Sequence, residues 1–552
     1  MIKQGKLELT WVGKNEEKKI EPRILVEDKS KSYGNLSSGN LLIHGDNLIA
    51  LQALQQDYTG KIKCVYIDPP YNTGSALEYY DDNLQHSIWL NMMKPRLELL
   101  INLLCDDGLL AIQIDDNEYA RLYLLLSELC GESNLKTICV KMSEPTGVKM
   151  ASVNKAGSIP KLKEYIILYK KDGIKNLKLE KIPKTGWDNE YKTYCSGVSD
   201  DDLEKIKNIL QNEERTPNEI KWVDTILKNV NFSNVNDVAK KQTGKNATEE
   251  WCFKNAHRIV QFATLTGGAR ELAIEKKQSF NQNVPKAFGV ETKQKKMYLI
   301  KGEFNTNTEL SRCKILFADL YLTVNPGDLW TDIKTTGLDN EGGVDFKNSK
   351  KPERLIKRII QLNTKQGDYV LDSFLGSGTT IAVAQKMRRK WIGIELGEHA
   401  YSHCKKRIDR VISGEDKGGI SKEVNWRGGG GYRFYELAPS LLVKNKRLSI
   451  YQINPEYSFD MVCEAICKLE GFTYNPEGSF HGKSSEKRFI HITYEFVNAE
   501  YIKSLMSGLG NDKCVLIYTT KQQSDLTLPN NVEIKRIPKD LLNKCVFESE
   551  VR

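Results

Sequence analysis

The chain has 552 residues, of which 40% are hydrophobic and 28% are charged, a composition typical of folded domains rather than of disordered segments. This length predicts about three or four domains. No apolar run approaches the ~20 residues that cross a bilayer, and the start lacks a signal-peptide core, so a cytoplasmic protein is expected. The net charge of +9 permits a polyanionic partner without requiring one.

The first clear strand pattern begins at residue 41. Residues 1–38 are polar and charged without sustained periodicity, which predicts an N-terminal arm or a peripheral strand. Residues 41–47, LLIHGDN, predict a strand that is followed by an amphipathic helix. Asp46 suits the N-cap of that helix.

Residues 65–72, VYIDPPYN, predict a short apolar strand that stops at an acid. Pro69 and Pro70 donate no backbone N–H, so the strand ladder must end there. Asp68 is therefore left at the carboxyl end of a strand, where open α/β sheets bind ligands. Its carboxylate and the Pro69 carbonyl can accept both hydrogens of an exocyclic amine, and Tyr71 offers a flat face to an extruded base. The same residues also suit a cis-proline turn with a solvated aspartate and a core tyrosine.

Strand and helix patterns then alternate up to about residue 170. Residues 89–104 predict a helix, 109–114 a strand, and 136–140 and 164–169 two further strands. This alternation is typical of a doubly wound α/β sheet.

Residues 171–325 have a different character, because they are rich in Lys, Asn and Gln with interleaved aromatic residues. They include KQKK at 293–296. Such a mixture suits phosphate contacts, reading of adenine edges and base stacking, and it equally suits a solvated accessory domain. Helical patterns at 201–211 and 222–230 indicate that the segment is folded.

A second motif follows this segment. Lys351 and Pro352 begin a helix, since proline suits a first helical turn. Residues 369–380, YVLDSFLGSGTT, predict a strand, a glycine turn and a helix beginning near Thr379, whose hydroxyl and backbone can hold a carboxylate. The next strand ends at Glu395, at the spacing where an acid meets ribose hydroxyls. A dinucleotide-binding fingerprint is not favoured, because its third glycine is missing here. A P-loop is excluded, because no Gly-Lys-Ser/Thr follows.

The end of the chain carries no motif of its own. Residues 426–439 include four consecutive glycines and predict a hinge or a tight loop. Residues 440–552 mix strand and helix patterns without a catalytic constellation, which predicts a small C-terminal α/β domain.

Residues 65–72 and 369–380 together resemble the amino-methylating DNA methyltransferases that use S-adenosylmethionine. The first stretch is similar to that family's Asp-Pro-Pro-Tyr catalytic motif, and the second to its Phe-x-Gly-x-Gly cofactor motif. The catalytic motif comes first, which is the order of the β class. The resemblance implies a circularly permuted, Rossmann-like methyltransferase sheet. Its catalytic half is 39–170 and its cofactor-binding half is 326–425, with a target-recognition insertion at 171–325.

The resemblance also implies roles for single residues. The catalytic motif would be Asp68, Pro69, Pro70 and Tyr71. The cofactor-binding residues would be Asp46, Lys351, Asp372, Phe374, Gly376, Gly378, Thr379 and Glu395. Phe374 and the glycines would shape the methionine pocket, Asp372 would contact that end of the cofactor, and Glu395 would bind the ribose. Asp46 and Lys351 also have plain helix-starting interpretations.

The implied reaction needs no metal, because S-adenosylmethionine brings its own leaving group. An aspartate at position 68, where cytosine-N4 enzymes usually carry serine, implies transfer to adenine N6. The alternatives are cytosine-N4 transfer and, in a different class, a DNA-binding component without activity.

Glycine-rich residues 426–434, followed by a small α/β domain, resemble the modification subunits of type III restriction-modification systems. That resemblance implies double-stranded DNA as substrate, a homodimer and a helicase-nuclease restriction subunit as partner. A stand-alone methyltransferase is the alternative.

Overall fold

The structure is a computed structural model that describes residues 8–16, 20–73, 85–144, 153, 155, 157–184, 186–212, 214–335, 337, 338, 341–344, 350–445, 447, 448, 450–509, 512–545 and 547. Packing divides the described chain into two compact units. One comprises the residues up to Glu180 and from Gly327 onward, and the other is Lys181–Pro326. Among the described helices, none is long and apolar enough to cross a membrane.

The first part of the chain supplies seven strands and three helices. They are β1 (Leu25–Glu27), β2 (Tyr33–Gly34), β3 (Leu41–His44), α1 (Asn47–Tyr58), β4 (Ile62–Ile67), α2 (His86–Leu103), β5 (Leu104–Ile114), α3 (Tyr119–Cys130), β6 (Leu135–Lys141) and β7 (Lys163–Lys170). β4 ends at Ile67 because the next residues are Asp68 and two prolines. The predicted strands and helices before residue 170 therefore all have a counterpart.

The second unit is an antiparallel sheet with helices. Its elements are β8 (Ile182–Pro183), β9 (Thr193–Ser196), α4 (Asp200–Gln211), α5 (Pro217–Leu227), β10 (Asn231–Asn234), α6 (Val235–Thr243), α7 (Glu249–Lys254), β11 (Ile259–Thr264), α8 (Gly268–Ser279), β12 (Ala287–Glu291), β13 (Met297–Lys301), β14 (Arg312–Phe317), α9 (Ala318–Tyr321) and β15 (Thr323–Val324). The six-stranded sheet has the order β10-β9-β11-β14-β13-β12. Thr216 and Glu219 form a capping box that starts α5.

The chain then returns to the first unit and completes its sheet. The elements are β16 (Leu329–Trp330), α10 (Glu353–Asn363), β17 (Tyr369–Asp372), α11 (Thr379–Lys386), β18 (Lys390–Glu395), a π-helical turn at Ala400–Lys405, α12 (Lys406–Ser413) and β19 (Gly431–Leu437). The main path of this eleven-stranded sheet runs β1-β19-β3-β18-β17-β4-β5-β7-β6-β16, with β2 paired to β19. β17 and β18 thus lie between β3 and β4, and each of these neighbours is parallel.

Helices cover both faces of this sheet. Side chains of β4 alternate between the two cores, with Tyr66 on one side and Val65 and Ile67 on the other. The first core is packed by α10, α11 and α12, and the second by α1, α2 and α3. The predicted doubly wound α/β class is confirmed.

Two predicted boundaries need correction. The segment 426–439 is not a hinge, because Gly431–Leu437 forms β19 and pairs in parallel with β3. Its alternate residues Tyr432 and Phe434 are fully buried, so burial holds this strand in the sheet. Of the two alternatives for residues 1–38, the structure has the peripheral strand, since β1 and β2 both pair with β19.

The second correction concerns the insertion, which begins at 181 rather than 171. The amide of Lys178 donates to Leu362 O at 2.8 Å, and Glu180 forms a 2.9 Å ion pair with Lys357. Residues 171–180 are therefore held on α10, in the first unit.

The end of the chain forms the predicted small α/β region. Its elements are β20 (Leu442–Lys444), β21 (Tyr451–Ile453), α13 (Phe459–Glu470), β22 (Thr473–Glu477), β23 (Phe480–Ser485), β24 (Arg488–Val497), α14 (Ala499–Ser507), β25 (Cys514–Gln522) and β26 (Val532–Arg536). Its own five-stranded sheet has the order β22-β23-β24-β25-β26.

Candidate active site

The two sequence motifs meet at one edge of the large sheet. β4, β17 and β18 are parallel neighbours, so Asp68, Asp372 and Glu395 all lie where strands end. One cavity has both motifs in its lining, through Asp68, Lys351, Asp372, Phe374, Gly376 and Thr379. Distant segments of the chain thus form a single site.

The catalytic turn is held firmly. Trp89, which is fully buried in α2, donates its indole N–H to Pro70 O at 2.8 Å. Neither proline follows a cis peptide bond, so the cis-proline turn is not what the structure contains. Asn72 closes the turn with a positive φ of 59°, a conformation that asparagine tolerates better than most residues. The turn thus fixes Asp68 and Tyr71 relative to the strand.

Asp68 and Tyr71 contact each other and two further charged groups. The Tyr71 hydroxyl lies 2.6 Å from Asp68 Oδ1 and 2.9 Å from Glu164 Oε2. Lys351 Nζ lies 3.2 Å from Asp68 Oδ2 and donates to the Tyr71 hydroxyl at 2.8 Å. The same ammonium lies 4.8 Å from the centre of the Tyr71 ring. Four side chains from three segments of the chain therefore form one cluster.

Burial dominates the ionisation of this cluster. It raises the pKa of Asp68, although Lys351 opposes the shift. Burial also raises the pKa of Tyr71 well above its ordinary value, so the phenol keeps its proton. For Lys351, burial lowers the pKa, but Asp68 and Glu164 outweigh it and the net shift is upward. Lys351 is therefore a cation in contact with both carboxylates.

Sequence reasoning overlooked Glu164. It lies near the start of β7, which runs antiparallel to β5 and therefore begins at the edge where the parallel strands end. Gln113 donates to it at 2.5 Å and is itself held by the Tyr66 hydroxyl at 2.6 Å. The available signal was the position of Glu164, an acid directly before the apolar run of a predicted strand.

The glycine turn after β17 surrounds Asp372. Its Oδ1 accepts from the Phe374 amide at 2.9 Å and its Oδ2 from the Thr380 hydroxyl at 2.5 Å. Burial raises the pKa of Asp372 to about 7. Gly378 has a φ of +77°, and a Cβ there would lie 3.2 Å from Cys404 Cα, so both conformation and space favour glycine.

Glu395 and Thr379 brace the glycine turn. Glu395 accepts from the Gly376 amide at 2.6 Å and from the Leu396 amide at 2.8 Å, and its side chain is almost fully buried. The Thr379 hydroxyl lines the cavity and accepts from Arg407 at 2.7 Å. Both residues thus have internal partners besides the cofactor roles predicted for them, and those roles stay predictions.

Two other predicted cofactor residues have different surroundings. Asp46 caps α1 by accepting from the Leu48 and Ile49 amides at 2.9 and 3.3 Å, and it does not line the cavity. These contacts are those of its helix-starting interpretation, and its cofactor role stays a prediction. Lys351 does line the cavity, but its ammonium contacts the catalytic motif.

Comparison with known proteins identifies a family and several relatives. Residues 62–406 match the model of a DNA methylase family of the N6 and N4 type. The chain is 35% identical over 425 residues to the probable type III restriction-modification enzyme HindVI Mod subunit of Haemophilus influenzae, covering 72% of this chain and 54% of that protein. It is 26% identical to the type III EcoPI Mod subunit of Escherichia phage P1, covering 69% and 61%.

The chain spans about half to three-fifths of the length of these curated relatives. Among solved structures, the complex of M1.HpyAVI with SAM has a TM-score of 0.30 and 13% identity, covering 67% of this chain and 99% of that one. The family match covers more than half of the 552 residues and includes both motifs. This chain therefore belongs to the N6 and N4 DNA methylase family.

Proposed function

We propose that this chain transfers the methyl group of S-adenosylmethionine to N6 of an adenine that is flipped out of double-stranded DNA. The observation that carries the proposal is the shared cavity, where Asp68 of one motif and Asp372 of the other line the same space. The aspartate at position 68 supports adenine over cytosine, because cytosine-N4 enzymes of the resembled family usually carry serine there.

The cavity suits a cationic ligand such as S-adenosylmethionine. Within the described part of the chain, Asp372 has only neutral hydrogen-bond donors, and its pKa of about 7 reflects a buried carboxylate without a cation. Asp372, Phe374, Gly376 and Gly378 would hold the methionine end, and Glu395 the ribose. When bound, the cofactor supplies an electrophilic methyl group and its own leaving group.

The residues of the catalytic turn prepare the amine. Asp68 and the Pro69 carbonyl accept its two hydrogens, which withdraws the nitrogen lone pair from the ring and directs it outward. Tyr71 stacks on the flipped base. Holding the reacting groups in place contributes about 7–11 kcal/mol in favourable cases. The amine nitrogen that receives the methyl group must also lose one proton. Asp68 accepts a hydrogen bond from this nitrogen, and its raised pKa makes it a better base for that proton.

The type III assignment rests on the named relatives and extends to partners. Lys181–Pro326 reads the target sequence, a second copy of the chain completes a homodimer, and a helicase-nuclease subunit binds the complex. Copurification with such a subunit tests the last part. A chain that methylates a palindromic site without any partner is instead a stand-alone enzyme.

Sequencing that detects methylated bases tests the activity. Genomic DNA from a host that expresses the chain is compared with DNA from a host expressing Asp68→Ala. We expect N6-methyladenine at one asymmetric motif, on one strand, and only with the unmodified chain. N4-methylcytosine would establish the alternative base. Purified protein with labelled cofactor and unmethylated DNA completes the test, since no transfer there indicates a DNA-binding component without activity.

A further inference from the structure

The ammonium of Lys351 lies where a substrate amine is expected. It is 3.2 Å from Asp68 Oδ2, 2.8 Å from the Tyr71 hydroxyl and 4.8 Å from the Tyr71 ring centre. An adenine amine would need the same acceptor and its ring the same aromatic face. The lysine and the base therefore compete for one place.

Glu164 offers the lysine another acceptor. Its Oε2 lies 3.3 Å from Lys351 Nζ, nearly the same distance as Asp68 Oδ2. Although burial raises the pKa of Glu164, Lys351, Gln113 and Tyr71 together hold it below its ordinary value, so the group stays a carboxylate. A small movement of the lysine is enough to exchange one carboxylate for the other.

The two carboxylates differ in how they are held. Glu164 accepts from Gln113 at 2.5 Å, and the Tyr66 hydroxyl fixes that amide in turn at 2.6 Å. Asp68 has the Tyr71 hydroxyl at 2.6 Å, but this hydroxyl has one proton and also lies 2.9 Å from Glu164. The Glu164 carboxylate is therefore held in place, whereas the flexible side chain of Lys351 is able to move.

We propose that Glu164 is a positioning residue that draws Lys351 away from Asp68 when adenine enters, so that the amine takes the lysine's place on the catalytic carboxylate. This inference rests on the proposed function. Without the negative charge of Glu164, Lys351 keeps Asp68 as its one carboxylate within ion-pair distance among the described residues and blocks the amine.

Three variants test the inference: Glu164→Gln, Lys351→Met and the double variant. Glutamine keeps the size of the side chain but removes its charge. We expect Glu164→Gln to slow single-turnover methylation at saturating cofactor about tenfold or more, the usual effect of losing one hydrogen bond to a charged group. Cofactor affinity should stay within about twofold, because Glu164 does not line the cofactor cavity.

The double variant separates competition from simple damage. If Lys351 blocks Asp68, removing the ammonium restores most of the rate that Glu164→Gln loses. A structural role for Glu164 predicts no such rescue. The fluorescence of 2-aminopurine placed at the target adenine reports how fully the base leaves the duplex. Glu164→Gln should lower this fluorescence, and the double variant should restore most of it.

Glu470→Gln is the matched control. Glu470 is a buried acid that also pairs with a tyrosine and lysines, with Lys535 and Lys544 each at 3.0 Å, but it belongs to the small C-terminal sheet region. Its loss should leave the methylation rate unchanged. Unaltered methylation by Glu164→Gln, or a double variant no faster than Glu164→Gln, overturns the inference. Failure of the unmodified chain to methylate adenine would instead overturn the proposed function.

Discussion

Two cations of the first unit, Lys386 and Arg407, have surroundings opposite to those of two lysines of the second unit, Lys205 and Lys314. In the first unit, Lys386 and Arg407 are fully buried and both contact Glu353, at 2.7 and 2.8 Å. In the second unit, Lys205 and Lys314 lie over the rings of Trp222 and Tyr298, at 4.1 and 4.8 Å. Among the described residues, neither of these two lysines has a carboxylate within ion-pair distance.

The difference shows what each set of charges can do. A buried, paired cation has its partners inside the protein, so it holds neighbouring segments together. Arg407, for example, contacts Thr379 at the end of the glycine turn. A lysine on an aromatic ring keeps hydrogen-bond donors for an external anion such as a DNA phosphate. Lysine therefore serves rigidity at position 386 and is available for binding at positions 205 and 314.

The largest effect is expected at the catalytic carboxylate. Asp68→Ala should reduce the methylation rate at least about 10²- to 10³-fold, because an oriented polar contact to the reacting amine is lost. Calorimetric affinity for S-adenosylmethionine should change little. Asp106→Ala, at an exposed position of β5, is the control and should keep full activity. Appreciable transfer by Asp68→Ala would contradict the mechanism.

The buried cations of the first unit should matter strongly for folding. Lys386→Met leaves Glu353 and Asp416 without a cation that contacts both, which should lower the free energy of unfolding by about 3–5 kcal/mol. Urea denaturation measures this change. Lys205→Met in the second unit should cost no more than about 1 kcal/mol. Equal losses in both variants would remove the contrast between the units.

Asp372 should make stability depend on pH. Its folded pKa of about 7 lies above the ordinary aspartate value of 3.8, so its contribution to stability is complete below pH 3.8 and is lost as pH rises through 7. The loss amounts to at most about 4 kcal/mol. Urea unfolding from pH 4 to 8 should show this decline, and Asp372→Asn should flatten it. Saturating S-adenosylmethionine should flatten it as well, if Asp372 faces the cationic end.

The smallest effects should come from the lysines of the second unit. Lys205→Ala and Lys314→Ala should weaken DNA binding several-fold, and each lost phosphate contact should reduce the salt-dependence slope by about 0.9. Stability should remain within about 1 kcal/mol of the unmodified chain. Fluorescence anisotropy at several salt concentrations measures the slope. An unchanged slope would place these lysines outside the DNA contact surface.

The local patterns of the chain were strong enough to predict much of the fold. Two consecutive prolines at 69 and 70 supply no backbone N–H to a strand ladder, and glycines at 376 and 378 permit positive φ values that other residues resist. Both effects act within a few residues, so sequence alone indicates them. The prediction of a hinge at 426–439 was wrong because β19 depends on a distant partner. That partner, β3, lies almost 400 residues earlier in the chain.

By itself the sequence determined the end of β4 and the glycine turn, since each depends on neighbouring residues, and it shows the order of the two motifs directly. Only the tertiary structure decided which side chains share the site. Glu164 and Lys351 lie 93 and 280 residues from Tyr71, and no periodicity indicates that their charges meet. Their contact exists because β7 lies beside β5 and the start of α10 reaches the same edge of the sheet. Long-range packing of this kind is invisible to local patterns.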